Sequence, residues 1–356
     1  MALLVSVLSG CTPTATTPNE EEEQEGYELA LVTDIGTIDD KSFNQGAWEG
    51  LKAYAEEHGI SYKYYQPAEK TTASYIDTID LAVEGGAKLV VCPGFLFEPA
   101  VFQSQDDHPD VKFILLDGSP NNGDYDNFVA RIEDNVYSVF YAEEQAGFLA
   151  GYAAVKEGYT KLGFMGGMAV PAVVRFGYGY AQGAELAAEE MGIDSIELKY
   201  HYTGGFDATP EAQALAASWY NDGTEVIFAC GGAVGNSVMA AAEAAGTKVI
   251  GVDVDQSAES DTVITSAMKQ LSISVYDGIT AYYNESFPGG ESVSLDATVD
   301  GIGLPMENSR FENFTQADYD AIYAKLVDGS VAPLKDSDVG SATELPLNIV
   351  TVALID

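Results

Sequence analysis

From Tyr27 onward the chain alternates short apolar runs with longer stretches of helical period. Residues 29–32, 88–91, 112–116, 162–165, 226–229 and 249–252 form near-continuous apolar runs, each too short for a helix. Such runs fit strands covered on both faces, as in a parallel sheet. The stretches between them read as helices. Ser42 and Gln45 have capping-box spacing, Ala47, Leu51, Tyr54 and Ala55 share one helical face, and Gly59 suits a C-terminal cap. Strand and helix in alternation predict an α/β fold with a doubly wound parallel sheet.

The pattern also repeats. AWEGLKAYAEEHGI (47–60) overlays YAQGAELAAEEMGI (180–193), with Gly50 on Gly183 and the Glu56-Glu57 pair on Glu189-Glu190. The same offset puts Phe43 on Phe176. Further along, LVVCPG (89–94) matches VIFACGG (226–232), and KFILLDG (112–118) matches KVIGVDV (248–254), which pairs Cys92 with Cys230 and Asp117 with Asp253. Landmarks kept in this order predict two similar lobes. Open α/β sheets bind ligands beyond the carboxyl ends of their strands. Asp34, Gly94, Asp117, Gly166, Gly231, Gly232 and Asp253 all stand there, so facing lobes aim them at one cleft that closes by a hinge.

Length and charge sharpen this reading. A chain of 356 residues suits two domains. Its net charge of −40, from 56 acids against 16 Lys and Arg, excludes a nucleic-acid partner and disfavours an anionic membrane surface. The three cysteines and three histidines are scattered, so neither structural zinc nor a disulfide framework is expected, and no metal or cofactor is implied. No apolar run reaches the roughly 18–20 residues of a membrane span.

The first residues carry an address. Residues 1–10, MALLVSVLSG, read as the remnant of a signal peptide, without the usual positive start. Leu8-Ser9-Gly10-Cys11 matches a bacterial lipoprotein processing box, which puts a lipid on Cys11; a buried strand ending at a free cysteine is the alternative. Thr and Pro fill residues 12–18 and acids dominate 20–25, so residues 11–26 are expected to form the anchor and a flexible tether.

Cleft chemistry can then be assigned to candidates. Either Phe43 or Phe176 alone would pass for a core residue. As a repeat-related pair on opposite lobes they suit a sandwich around a flat ring. Asp34, Asp117 and Asp253 offer acceptors for hydroxyl donors such as those of ribose, although turns and N-caps use aspartate equally well. Lys269, after the predicted strand 263–268, is one of few cations available to offset those carboxylates. Gly231 and Gly232 permit close backbone approach or simply make a turn. A P-loop is lacking and cations are sparse, so a neutral nucleoside fits better than a nucleotide.

VTDIGTIDDKSFNQGAWEGL (32–51), GFMGGMAVPAVVRFGYGYAQGA (163–184) and VIGVDVDQS (249–257) followed by TSAMKQ (265–270) resemble the basic membrane protein family of lipoproteins. The resemblance spans residues 29–303. It implies a type I periplasmic-binding fold and capture of a purine nucleoside (inosine, guanosine or adenosine) for an ABC permease and its ATPase. The chain would be a monomer, lipid-anchored on the extracytoplasmic side of the cell membrane. It implies that Phe43 and Phe176 sandwich the base. Asp34, Asn44 and Asp117 would serve polar atoms of base or ribose, Asp253 and Lys269 the ribose, and Gly232 a backbone contact. Cys92-Pro93 and the Glu98-bearing segment depart from the family pattern. The expected lobes are residues 27–131 with about 254–294, and 132–253 with part of 295–356. A binding protein of the same fold for a monosaccharide or related signal molecule is the alternative. An enzyme is not expected: GGAVG lacks dinucleotide-site spacing, and nucleophile-elbow and HExxH motifs are missing.

Overall fold

A computed structural model describes residues 26–355. The leader 1–10 and Cys11 lie outside the described residues. In chain order the elements are β1 (Leu29–Val32), α1 (Phe43–His58), β2 (Tyr62–Tyr65), α2 (Thr72–Glu84), β3 (Leu89–Pro93), α3 (Glu98–Asp107), β4 (Lys112–Leu116) and β5 (Val136–Tyr141). Then follow α4 (Glu143–Glu157), β6 (Lys161–Gly166), α5 (Pro171–Met191), β7 (Ile196–Tyr202), α6 (Pro210–Asn221), β8 (Val226–Cys230), α7 (Val234–Ala245), β9 (Lys248–Asp253) and β10 (Val263–Lys269). The last are α8 (Leu271–Tyr283), β11 (Glu291–Leu295), β12 (Ile302–Gly303), α9 (Gln316–Val327) and β13 (Val350–Leu354).

These strands form two sheets, ordered β2-β1-β3-β4-β5-β11 and β13-β7-β6-β8-β9-β10-β12. The pairings within each sheet are parallel except for β12 against β10. The central strands β1, β3 and β8 are buried along their whole length, as expected for sheets covered on both faces. Strands β1–β5 correspond one for one to β6–β10. That correspondence is the physical origin of the internal repeat. It sets Cys92 against Cys230, Asp117 against Asp253, and, at the ends of the fifth strands, Tyr141 against Lys269.

The chain changes lobes later than the sequence suggests. Residues 136–141 pair with β4 (Phe113 opposite Val136), so β5 belongs to the first sheet. The first crossing therefore falls at Tyr141–Glu143, not near Arg131. Likewise β10 pairs with β9 (Met268 opposite Asp253), which assigns residues 254–269 to the second lobe and moves the second crossing from Asp253 to Lys269. The reason is common to both: each wound sheet completes its fifth strand before the chain leaves. The third crossing follows Leu295, and β13 pairs with β7, so the C-terminal strand joins the second sheet. The crossings are laced together, with Ala142 N donating to Leu295 O at 3.0 Å and Gln270 N to Gly301 O at 3.0 Å.

The capping box expected at α1 is replaced by a different cap. The Asp40 carboxylate accepts the backbone N–H groups of Ser42 (2.9 Å), Asn44 (3.0 Å) and Gln45 (3.1 Å). That frees the Ser42 hydroxyl for the other lobe.

Glycines set the helix crossing beside the hinge. On α4 and α5, a Cβ on Gly147, Gly151, Gly179 or Gly183 would sit 1.9–2.1 Å from a carbonyl oxygen of the facing helix. Only the missing side chains let these backbones approach so closely.

A candidate ligand-binding cleft between the lobes

The carboxyl ends of both sheets open onto one interlobe cleft. The first lobe lines it with Asp34, Phe43, Asn44 and Asp117, the second with Phe176, Gly232, Asp253 and Lys269. The fold thus brings all eight sequence candidates together.

Asp34 follows β1. Its Oδ1 accepts from Gly36 N at 2.6 Å and Asn44 Nδ2 at 3.0 Å. Burial pushes its pKa upward against those hydrogen bonds. Asn44 Nδ2 donates again, to Asp40 at 3.0 Å, while its Oδ1 accepts from Asp34 N at 3.4 Å. With its amide committed inside the first lobe, Asn44 holds Asp34 in place and has no donor left for the cleft. Its direct ligand contact, implied by resemblance, would require these bonds to rearrange.

Asp117 and Asp253 occupy equivalent places just past β4 and at the end of β9. Both have left-handed backbone, with φ of 53° and 68°, a conformation aspartate tolerates better than most residues. Their carboxylates meet at Lys269. The lysine Nζ lies 2.5 Å from Asp117 Oδ2, 3.1 Å from Glu143 Oε1 and 3.9 Å from Asp253 Oδ1. Burial alone would discharge the ammonium, but the three carboxylates outweigh it and raise its pKa above the ordinary lysine value. Burial also lifts Asp117 to about 7, with Lys269 opposing. Asp253 rises for the same reason, against Lys269 and the Ser42 hydroxyl, which donates to it at 2.5 Å.

Two aromatic walls flank this cage. Phe43 is half-buried at the first residue of α1. Phe176, in the second turn of α5, is 1% exposed and meets Phe228 edge-on at 5.8 Å. It therefore serves the core and the cleft together. The Lys269 Nζ is 4.8 Å from the Phe43 ring centroid and 5.4 Å from that of Phe176, both within cation–π range. Gly232 turns the chain from β8 into α7 at φ 57°, which presents backbone to the cleft.

Several lining or supporting residues escaped the sequence reading. Ser42 read as an ordinary capping residue, and Asp40, two residues before it, drew no reading at all. Glu143 opens α4 directly after the first crossing, and aligning Tyr141 with Lys269 would have drawn attention to it. Gln256 bridges the lobes: its Nε2 donates to Lys41 O at 2.6 Å, and its Oε1 accepts from Val252 N at 3.0 Å. Phe206 and Asp207 reach the cleft from the β7–α6 loop, where nothing in their pattern marks them. Among the described residues, no group of His, Cys, Asp and Glu could hold a metal ion, and no helix is long and apolar enough to cross a membrane.

Two wound lobes, three crossings and a shared cleft at the strand ends are the architecture of a two-lobed solute-binding protein. The profile of the family described as "Bmp: ABC transporter substrate-binding protein PnrA-like" matches residues 27–330, and the chain belongs to that family. A curated relative, the ABC transporter nucleoside-binding protein BmpA of Lactococcus lactis subsp. cremoris, is 29% identical over 331 residues, covering 86% of this chain and 90% of its own. Basic membrane protein B of Borreliella burgdorferi is 30% identical over 297 residues, with 81% and 83% covered. A solute-binding protein of an ABC transporter system from Aeropyrum pernix superposes with a TM-score of 0.74 at 23% identity, covering 86% and 93%. That likeness shows the two-lobed, type I periplasmic-binding fold. The chain is a substrate-binding component of an ABC transporter, not an enzyme. Its partners are a ligand and a permease with its ATPase.

Proposed function

We propose that the cleft captures a purine nucleoside for import, and that the protein does so as a monomer tethered outside the cell membrane by a lipid on Cys11. The observation that carries this reading is the pairing of Phe43 and Phe176 on opposite walls, with one lysine and several carboxylates between them. Aromatic faces suit a purine ring, and acceptors around a single cation suit ribose hydroxyls. The acidic lining disfavours a phosphate. The name of the Lactococcus lactis relative points the same way. In this reading Asp34 addresses the base, Asp117, Asp253 and Lys269 the ribose, and Gly232 supplies a backbone contact. Bound ligand bridges the lobes and favours the closed state by its added contacts.

Isothermal titration with inosine, guanosine, adenosine, uridine and ribose, after unfolding and refolding to strip endogenous ligand, tests the assignment. Tight purine nucleoside binding with ribose silent is the expected outcome. Silence toward every nucleoside with heat from a sugar would leave the cleft and transfer the protein to the monosaccharide alternative. For the anchor, Cys11→Ser should release the protein from the membrane fraction of its host; unchanged retention would remove the lipid from Cys11.

A further inference from the structure

A side chamber opens off the cleft behind Asp117. Glu98, Phe140, Glu143, Arg175 and the exposed Tyr125 wall it, while Asp117, Phe95, Pro171 and Ala172 are shared with the cleft. Its inner wall carries unused acceptors. Asp117 Oδ1 and both carboxylate oxygens of Glu143 are buried without a hydrogen-bond donor. The Glu143 side chain is only 1% exposed. Lys269 at 3.1 Å and Arg175 at 3.5 Å offset its charge, yet neither makes a hydrogen bond to it. A carboxylate accepts at about four lone-pair sites, and leaving buried acceptors unmet costs free energy.

Glu98 and most of the Arg175 guanidinium are already engaged. Glu98 accepts from Ser119 N at 2.9 Å and Asn121 Nδ2 at 2.7 Å, and Arg175 Nε donates to Asp336 at 2.6 Å. What stays open on the buried wall is acceptor capacity, with the Arg175 Nη1 group, 3.5 Å from Glu143, as the one guanidinium nitrogen left without a hydrogen bond. Three carboxylates (Glu98, Asp117 and Glu143) face two cations there, before Asp253 and Asp336 are added, so an anionic group is disfavoured.

We propose that this chamber is a second subsite of the cleft, taking a hydrogen-bond donor without negative charge, an ammonium most strongly, carried on the sugar end of the bound nucleoside. The proposal rests on the nucleoside reading: Asp117 forms the wall between ribose site and chamber, and the exocyclic 5′ carbon is where a ligand extends past the ring. The cleft would thereby admit 5′-aminated nucleosides and reject 5′-phosphorylated ones.

Calorimetric titration of the full chain with adenosine, 5′-amino-5′-deoxyadenosine and adenosine 5′-phosphate tests it. The amine should bind about tenfold more tightly than adenosine, and the phosphate at least about a hundredfold more weakly. The reading within each variant is the ratio of the two dissociation constants, amine against adenosine. Glu143→Gln should bring that ratio back to about one. Tyr125→Lys, at an exposed wall that leaves the core intact, should weaken the amine several-fold relative to adenosine. An amine no tighter than adenosine, or an advantage that survives both substitutions, overturns the subsite while adenosine binding still stands. Silence toward adenosine itself removes the nucleoside reading, and the subsite with it.

Discussion

The two lobes share a strand order but not a manner of packing. In the second lobe, glycines on both α4 and α5 bring the helices together, and a Cβ on Gly147 would lie 2.1 Å from Phe176 O. In the first lobe only α1 contributes glycines to the equivalent crossing. A Cβ on Gly46 meets the side chains of Val254 and Leu271 at 2.8 and 2.9 Å, and one on Gly50 meets Ser272 O at 2.3 Å. The second lobe thus fixes the backbone of Phe176 against a neighbouring helix. Phe43, its repeat partner, stands half-exposed at a helix start. One aromatic wall is a rigid anvil, and the other has room to adjust.

The largest effect should come from the crossing itself. Gly147→Ala drives a methyl into backbone that cannot yield and should cost about 3 kcal/mol of stability, against about 1 kcal/mol for Gly46→Ala, where flexible side chains give way. Urea unfolding of both variants measures the contrast, and equal losses would erase the difference between the lobes. Next, Phe176→Ala should lower stability by about 3 kcal/mol, because it leaves a cavity beside Phe228. Phe43→Ala should barely change the unfolding midpoint and should weaken nucleoside binding by roughly 1–3 kcal/mol. An unchanged dissociation constant for Phe43→Ala would dissolve the sandwich.

The smallest effect is the pH dependence that Glu144 contributes in the second lobe. Burial raises the pKa of Glu144, on α4, to about 7 from the ordinary 4.5. The folded protein therefore binds this proton more tightly than the unfolded chain does. The stabilisation is complete below about 4.5 and is lost as pH rises through about 7. Glu144→Gln should accordingly leave the melting temperature near pH 4.5 little changed and raise it at pH 8. A difference from wild type that stays constant across this range would refute the assignment.

Much of this was legible in the sequence because buried parallel strands are uniformly apolar and repeat-related landmarks keep their order. Residues 29–32 and 226–229 announce themselves in that way. Strand β5 does not: VYSVFY mixes a serine and two tyrosines into a crossing segment, so its sheet is decided by pairing with β4 and not by composition. The cleft followed from strand ends and the repeat. Glu143 and Gln256 did not: Glu143 is defined by Lys269 and Arg175, brought to it by distant elements of its own lobe, and Gln256 by Lys41 of the opposite lobe. Ser42 was misread for a related reason. Its pattern fits a helix cap, and only the presence of Asp40 two residues earlier releases its hydroxyl to Asp253.

The laced crossings have a mechanical consequence. Lys269 and Tyr141 are the last residues before two of the three connections, so the charged cage sits almost at the fulcrum. Displacements there are small, while the rims, where Lys70 Nζ reaches Met168 Sδ at 2.8 Å, lie at the far end of the lever. For lobes that close about these crossings, a small displacement around the one ammonium would become a larger one at the rims. In the proposed reading, ligand contact at this cage would fall where closure moves the lobes least, and its result would show where they move most.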